Sequence, residues 1–386
     1  MRCSVVILNW NGEQTLRQFL PSVLQHTQVP DVEIVVADNG STDSSLEYLR
    51  TQPVRVIALD KNYGFAGGYN HAIEQVDAEY TVLLNSDVEV TEHWLDAMLE
   101  YMDAHPQTLA AQPKVLSWHS KQQFDSGEIP AIRFEHAGAA GGLMDILGYP
   151  YCRGRLMSHV EEDHGQYDQV TPIFWATGAC LLVRTCIYKG LGGLDARFFA
   201  HQEEIDLCWR IWRIKNDELR IKNCSEELIQ NSKFKIVCLP KATVYHVGGG
   251  TLGYENPRKT FLNFRNNLLM LRKNLPASRL WWVMLVRFFL DYLAALQMLV
   301  TGQKANAKAV FEARCAYHKM ANGRSQSELK DGAERLMDNG SNSPEGVQYP
   351  IAKRPISHSE ASNTPYPLPI TKRSIVWDFY VRGKRK

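Results

Sequence analysis

The sequence predicts an α/β domain built on a mostly parallel, doubly wound sheet, followed by an apolar helical region and a polar, basic tail. Three observations carry this prediction. Short β-branched runs alternate with helical periodicity over the first hundred residues, acidic residues stand directly after several of those runs, and 45% of the 386 residues are hydrophobic against 22% charged. That composition is globular, and it excludes a disordered chain, a collagen-like repeat and a disulfide-stapled miniprotein. The length suits one large domain with appendages or two ordinary domains.

Residues 3–8 and 32–37 are β-branched runs bounded by Asn, Gly and Asp. Between them Leu16, Phe19, Leu20, Val23 and Leu24 recur at helical spacing over 13–26, so the unit is strand, helix, parallel strand. The alternation continues with a helix at 43–50, a strand at 54–59, a helix near 66–76, a strand at 80–84 and a helix at 92–104. In such a sheet ligands bind at the carboxyl ends of the strands. Residues 119–170 lose the alternation and are rich in Gly, His and charge; a long loop region beside a substrate is expected there. Apolar order resumes at 173–194, a helix follows at about 204–214, and a strand from Ile236 to Leu239 precedes Pro240. The polar stretch 215–233 reads as a local insertion.

Residues 279–301 are the most apolar in the chain and long enough for a bilayer span, but Arg287 and Asp291 fall mid-run at i,i+4. Three readings stay open: a helix lying in the membrane interface with Trp281 and Trp282 at headgroup level, a true span, or a buried core helix. From about 321 the chain is a polar linker, and it ends in an aromatic, basic segment. The net charge of +1 gives no global sign of nucleic acid. It conceals an asymmetry, because residues 351–386 carry +6 and residues 1–350 carry −5. Eight scattered cysteines, without CxxC or metal spacing, are expected as buried reduced thiols. No signal peptide pattern precedes the first strand, which gives a cytosolic expectation.

Four constellations fall where strands end. In Asp38-Asn39-Gly40-Ser41-Thr42-Asp43 a carboxylate after a strand suits a nucleoside base or ribose, while an Asx turn with a helix cap at Thr42 or Asp43 is the structural alternative. In Asn62-Tyr63-Gly64-Phe65-Ala66-Gly67-Gly68 glycines allow close approach of a ligand or simply a tight turn; the spacing is neither GxGxxG nor a P-loop. In Asn85-Ser86-Asp87 a carboxylate after a buried strand suits a hard divalent cation that neutralises a diphosphate. Helix capping is the alternative, with Thr91 already available for it. In His201-Gln202-Glu203-Glu204-Ile205-Asp206 three carboxylates open a helix, more than one cap requires, with a solvated helix N-terminus as the structural alternative. The helix dipole would keep a general base ionised there.

At this point the chain resembles a known family. ILNWNG, VVADNGSTDSS, NYGFAGGYN, LLNSDVEV, GACLLVR, GLGGLDARFFAHQEEIDLCWR, VYHVGGGT and FRNNLLMLRKN occur, over about residues 3–275, in the order seen in family-2 glycosyltransferases, most closely the bacterial rhamnosyltransferase-like branch. The resemblance implies a GT-A fold over residues 1–275; the apolar run and the polar composition after it give a membrane-associating helical region at 276–320 and a linker and basic tail at 321–386. The resemblance also implies a nucleotide-sugar donor, a Mg²⁺ or Mn²⁺ ion, inversion at the anomeric carbon, and a glycan or lipid-linked acceptor in surface polysaccharide synthesis. Enzymes of this kind act at the cytoplasmic face of the membrane. Carried over by position, Asp38 resembles the base-contacting residue, Asp87 the metal ligand, and His246 the histidine that reaches the metal or diphosphate from the far side. Asn9, Asn62, Gly67, Asn85 and Ser86 join the donor side, and Gly178, Glu203, Asp206 and Arg210 the acceptor side. The chain departs from the family twice: Asn85 replaces the first Asp of Asp-x-Asp, and Glu203-Glu204 replaces Glu-Asp, so the base would be Glu204. Two rivals remain at this level, a sugar nucleotidyltransferase and a binding module without turnover. Against the first, Asn9-Trp10-Asn11-Gly12 has no cation for a triphosphate.

Overall fold

The computed structural model describes residues 1–214, 224, 236–248, 256–321, 370–371 and 373–376. The chain falls into two compact units, Met1–Gly250 with Thr364–Lys386, and Thr251–Asn363. The first unit begins β1 (Cys3–Asn9), α1 (Glu13–His26), β2 (Val32–Asp38), α2 (Ser45–Leu49), β3 (Arg55–Ala58), α3 (Gly64–Glu74), β4 (Tyr80–Asn85), β5 (Val88–Val90), α4 (Trp94–Ala104), β6 (Ala110–Ser117) and α5 (Trp118–Asp125). It continues with β7 (Gly142–Met144), β8 (Pro150–Cys152), β9 (Arg155–Leu156), β10 (His159–Val160), β11 (Thr171–Pro172), β12 (Cys180–Arg184), α6 (Thr185–Gly190), α7 (Glu203–Trp212) and β13 (Ile236–His246).

Nine strands form one sheet in the order β11-β13-β6-β12-β4-β1-β2-β3, with β5 paired to β13. β4, β1, β2 and β3 run parallel, as does β13 beside β6, and β12 enters antiparallel between β4 and β6. The runs CSVVILN and YTVLLN are apolar without alternation because helices cover both faces of these strands. Val5, Ile7, Val82 and Leu84 pack on Leu16, Leu20, Trp94 and Met98 in one core. The expected mixed, mostly parallel sheet with flanking helices is therefore present. Its boundaries move in places: α2 is shorter than the 43–50 reading, and α3 starts two residues earlier.

Several expectations are corrected. The strand at Ile236 does not stop at Pro240 but runs to His246, because the pairing with β6 shifts register between Leu239 and Thr243, where a proline costs no ladder bond. Residues 119–170 are not simply a loop. They hold α5 and a four-stranded antiparallel sheet in the order β10-β9-β8-β7, whose two- and three-residue strands are too short to show periodicity. Thr91 caps no helix: α4 begins at Trp94, and the Thr91 hydroxyl donates to the Thr243 carbonyl at 2.7 Å. Not all cysteines are reduced thiols, since Cys186 on α6 is joined to Cys224. Six remain free, five of them buried. Part of the tail is structured as well: Ile370 bridges to Met144 on the small sheet, and the Ile375 amide donates to Asp145 Oδ2 at 3.0 Å. Trp377, Phe379, Tyr380 and most of the basic tail lie outside the described residues.

The second unit contains α8 (Pro257–Asn274), α9 (Ala277–Val300) and α10 (Lys304–Ala321). Ala295, Ala307 and Val310 form its core with Phe264 and Met298 packed against them, small residues that let the helices approach closely. The charges inside the apolar run point inward. Arg287 donates to Asp291 Oδ1 at 3.3 Å and to Asn267 Oδ1 at 2.5 Å, and Arg314 on α10 donates to Asp291 Oδ2 at 2.6 Å. All three charged groups are buried, and each answers another's charge.

Candidate active site

The carboxyl ends of β1, β2 and β4 lie side by side because Asn9 is in register with Asp38 and Leu8 with Asn85. Asn9 donates to Asp38 Oδ1 at 3.0 Å, and the Ser41 amide donates to Asp38 Oδ2 at 3.0 Å. Asp38 is buried, and the Asn9 Oδ1 atom beside it has no hydrogen-bond partner among the described residues. Such an orphan at a strand end is what a ligand donor would satisfy. The turn reading also has a place here. Asp43 accepts from the Glu13 and Ser45 amides, at 3.0 and 3.1 Å, and so caps the first turns of α1 and α2.

Asn39 is the residue that sequence reasoning passed over. Its side chain donates to Asn62 Oδ1 and to the Gly64 carbonyl, each at 3.1 Å, and accepts from the Tyr63 amide at 3.0 Å. It thereby ties the end of β2 to the Asn62–Gly64 turn. Its only signal was its place immediately after a strand-end Asp. Gly64 needs its glycine: φ is +72°, and a Cβ would stand 2.5 Å from the Phe199 ring. Gly67 lies buried in α3, one turn on.

Beyond β4, Asp87 meets His246 across the β5–β13 pairing, with Oδ1 to Nε2 at 3.2 Å. Asn85 Nδ2 is 3.4 Å from the same nitrogen, and Ser86 lies in the turn between. On the far side His246 Nδ1 faces Glu135 Oε2 at 3.6 Å, an ion-pair distance rather than a hydrogen bond. Burial alone would lower the His246 pKa, but the two flanking carboxylates outweigh it and lift the imidazole to about 10. The same charge holds Asp87 below its usual value despite burial. Glu135 had no sequence signal, because it sits in the irregular segment and only the fold carries it to His246.

A divalent cation that displaced the His246 proton would find a donor set here: a carboxylate oxygen from Asp87, an imidazole nitrogen from His246 and, with its amide turned, the Asn85 oxygen. No group of three or more His, Cys, Asp or Glu side chains suited to a metal occurs among the described residues. Three protein donors match a hard cation that takes its remaining ligands from water and substrate phosphate.

The fourth constellation is the most strained. Phe199, His201 and Gln202 have φ of +65°, +71° and +73°, a region costly for residues with a Cβ. The Phe199 carbonyl accepts from the Phe65 and Ala66 amides at 2.8 and 3.2 Å, so the chain is pinned to the start of α3 before it enters α7. Glu203 and Glu204 follow at once. Their Oε2 atoms are buried with no hydrogen-bond partner among the described residues. Burial pushes the Glu204 carboxyl up to about 7, and burial together with the Glu204 charge raises Glu203 well above its ordinary value. Gly178 lies against both Phe65 and Glu204: a Cβ there would be 3.3 Å from the Phe65 ring and 3.8 Å from Glu204 Cβ. The next residue, Ala179, accepts from the Asn85 amide at 3.0 Å, which connects this wall to the end of β4. Asp206 and Arg210 are engaged differently. Asp206 accepts from Arg210 at 2.8 Å, and Arg210 also donates to the Leu191 and Gly193 carbonyls at 2.8 and 2.7 Å, fixing the loop before α7. A polar cleft of about 620 Å³ lined by Arg133, His159, Glu161 and His164 opens on the small sheet. None of the residues expected to do chemistry lines it.

Residues 4–135 match the family described as Glycosyl transferase family 2. The chain is 27% identical over 216 residues to the N-acetylglucosaminyl-diphospho-decaprenol L-rhamnosyltransferase of Mycobacterium tuberculosis, covering 53% of this chain and 68% of that protein. It is 26% identical to the O-antigen biosynthesis protein RfbC of Myxococcus xanthus over 54% of this chain, though only 16% of that protein. It is 21% identical to the low-salt glycan biosynthesis hexosyltransferase Agl10 of Haloferax volcanii, covering 69% and 74%. Among solved structures, the mannosyltransferase PcManGT of Pyrobaculum calidifontis aligns over 87% of this chain and 80% of that one, at a TM-score of 0.46 and 12% identity.

Proposed function

From the match of residues 4–135 to the family described as Glycosyl transferase family 2 and the geometry above, we propose a metal-dependent inverting enzyme that moves a sugar from a nucleotide-sugar to a hydroxyl of a lipid-linked glycan in surface polysaccharide synthesis. The observation that carries it is Glu204. Its carboxylate is desolvated, lacks a partner for Oε2, and has a pKa near 7, the value that makes a general base effective at neutral pH. It stands on the same wall as the end of β4, where Asp87 is found.

In this reading Asp38 and Asn9, with Asn39 and Asn62 holding the adjoining turn, receive the nucleoside. Gly67 leaves the backbone open beside it. Asp87 and His246, with Asn85 and Ser86, hold Mg²⁺ or Mn²⁺, which when bound supplies positive charge against the diphosphate leaving group. Glu204 accepts the proton of the acceptor hydroxyl as its oxygen bonds to the anomeric carbon. The bond from that carbon to the diphosphate breaks, and the nucleoside diphosphate leaves with the electron pair. Glu203 stays protonated beside Glu204, because two buried adjacent carboxyls do not both ionise readily. Gly178 leaves room for the acceptor, and Asp206 with Arg210 sets the position of α7. Base catalysis contributes about 10²–10⁴-fold.

A panel of nucleotide-sugars with Mn²⁺ present, scored by release of nucleoside diphosphate, tests the reading. Metal-dependent release with one donor is expected. Donor binding without release from any donor, with a lipid-linked acceptor supplied, would leave a binding module.

A further inference from the structure

The outward face of α9 carries none of the residues assigned a role in the proposed reaction. Trp281, Leu285, Phe289, Leu293, Leu296 and Val300 succeed one another at intervals of three or four residues and so form one stripe along the helix. The stripe is exposed: Trp281 by 67%, Phe289 by 64%, Leu293 by 61% and Val300 by 81%. The opposite face, Val283, Arg287, Asp291 and Ala295, is buried and bonded to the neighbouring helices. An apolar strip of this length on one side of a packed helical unit marks a contact surface.

Charge decides what the contact is. Residues 256–321 hold eleven Lys and Arg against Asp291 and Glu312, a net charge of +9. Arg287, Asp291 and Arg314 are buried together and account for +1 of it, which leaves +8 for the other residues of these helices. Residues 1–255 carry −12, so within residues 1–321 the cationic character is local to these helices. Exposed Arg272 and Lys273 close the helix that leads into α9, and exposed Lys304 and Lys308 open the helix that follows it. Cations thus stand at both ends of the apolar stripe. A second copy of the chain would bring two such units together against their own repulsion. An anionic bilayer offers both an apolar layer and opposite charge.

We propose that α9 lies flat in the headgroup region of an anionic membrane, with its Trp281–Val300 stripe in the acyl boundary and the flanking Lys and Arg side chains on lipid phosphates. The helix does not span. Its other face is held by the Arg287–Asp291–Arg314 cluster to α8 and α10, whose polar sequences do not enter hydrocarbon. A single interfacial helix of this kind binds reversibly and in a salt-sensitive way.

Flotation of the full chain with vesicles tests this without any turnover, so its failure and the failure of the enzymatic reading are separate events. The chain should float with phosphatidylcholine vesicles that contain phosphatidylglycerol, remain soluble with phosphatidylcholine alone, and be released by high salt. Phe289→Gln with Leu293→Gln should abolish flotation while leaving donor turnover and sedimentation velocity unchanged. Lys304→Gln with Lys308→Gln should weaken binding about 25-fold, roughly fivefold for each cation removed. A chain ending at Val376 should still float. The proposal is overturned if the wild type does not float, if the paired glutamines at 289 and 293 leave flotation intact, or if they convert a dimer to a monomer. Loss of flotation on removal of residues 377–386 alone would overturn it too.

Discussion

Replacing Glu204 by Gln should stabilise the protein and silence it at the same time. The amide keeps the side chain's shape, cannot accept the acceptor proton, and removes a charge that the fold does not compensate. The carboxyl has its pKa raised from 4.5 to about 7 by burial. Folded protein therefore binds more protons than unfolded protein between those pH values, and stability falls as pH rises through that window. At ~1.36 kcal/mol per pH unit the full rise corresponds to about 3 kcal/mol. Glu204 retains partial exposure, which screens this to roughly 2 kcal/mol. At about 2–4 °C per kcal/mol for a domain of this size, Tm should increase by roughly 4–8 °C at pH 8. Near pH 5, where the wild-type carboxyl is already neutral, the difference should nearly vanish. Turnover should drop by about 10²–10⁴-fold, with donor affinity by calorimetry little changed. Glu203→Gln is the matched control and should stabilise while retaining turnover. Asp206→Asn is the opposite control: it weakens the hold on Arg210 and should cost about 3 kcal/mol. An equal Tm difference at pH 5 and pH 8 would refute the electrostatic argument. An active Glu204→Gln enzyme with a dead Glu203→Gln enzyme would refute the assignment.

Three further outcomes are expected. Asp87→Ala should abolish metal-dependent turnover without unfolding the domain; activity equal to wild type, or wild-type activity that survives excess chelator, would remove Asp87 from the metal site. Glu135→Gln should lower the pKa of His246 from its value of about 10 in the metal-free protein, read by NMR titration of the imidazole, because one of two flanking carboxylates is lost. Stability from that protonated imidazole is full below about 6.5 and lost as pH rises towards 10, so the variant should lose stability at neutral pH and little above pH 10. Gly64→Ala should cost about 1–3 kcal/mol and reduce kcat, since a left-handed backbone and the Phe199 ring both resist a Cβ there; an unaltered melt would show that the turn relaxes freely.

Much of the fold was legible in the chain because its signals are local. Unbroken apolar runs such as YTVLLN identify strands covered on both faces, and the spacing from Leu16 to Leu24 identifies the helix between the first two. The positions of Asp38, Asp87 and Glu204 at element ends follow from the same reading. Segment 119–170 was not legible, because strands of two or three residues carry no period. The course of the last strand past Pro240 depends on its partner β6, which a local pattern does not record.

By itself, then, the sequence determined which residues stand at the strand and helix ends, since that depends on neighbours a few positions away. Only the tertiary structure decided how those ends combine. Glu135 reaches His246 and His246 reaches Asp87 across more than a hundred residues. Phe199 closes on α3 to hold the approach to Glu204. Arg287 and Asp291 turn inward to leave α9 with one apolar face. Burial and charge pairing depend on which distant groups share a low-dielectric space, and only the folded chain brings those groups together.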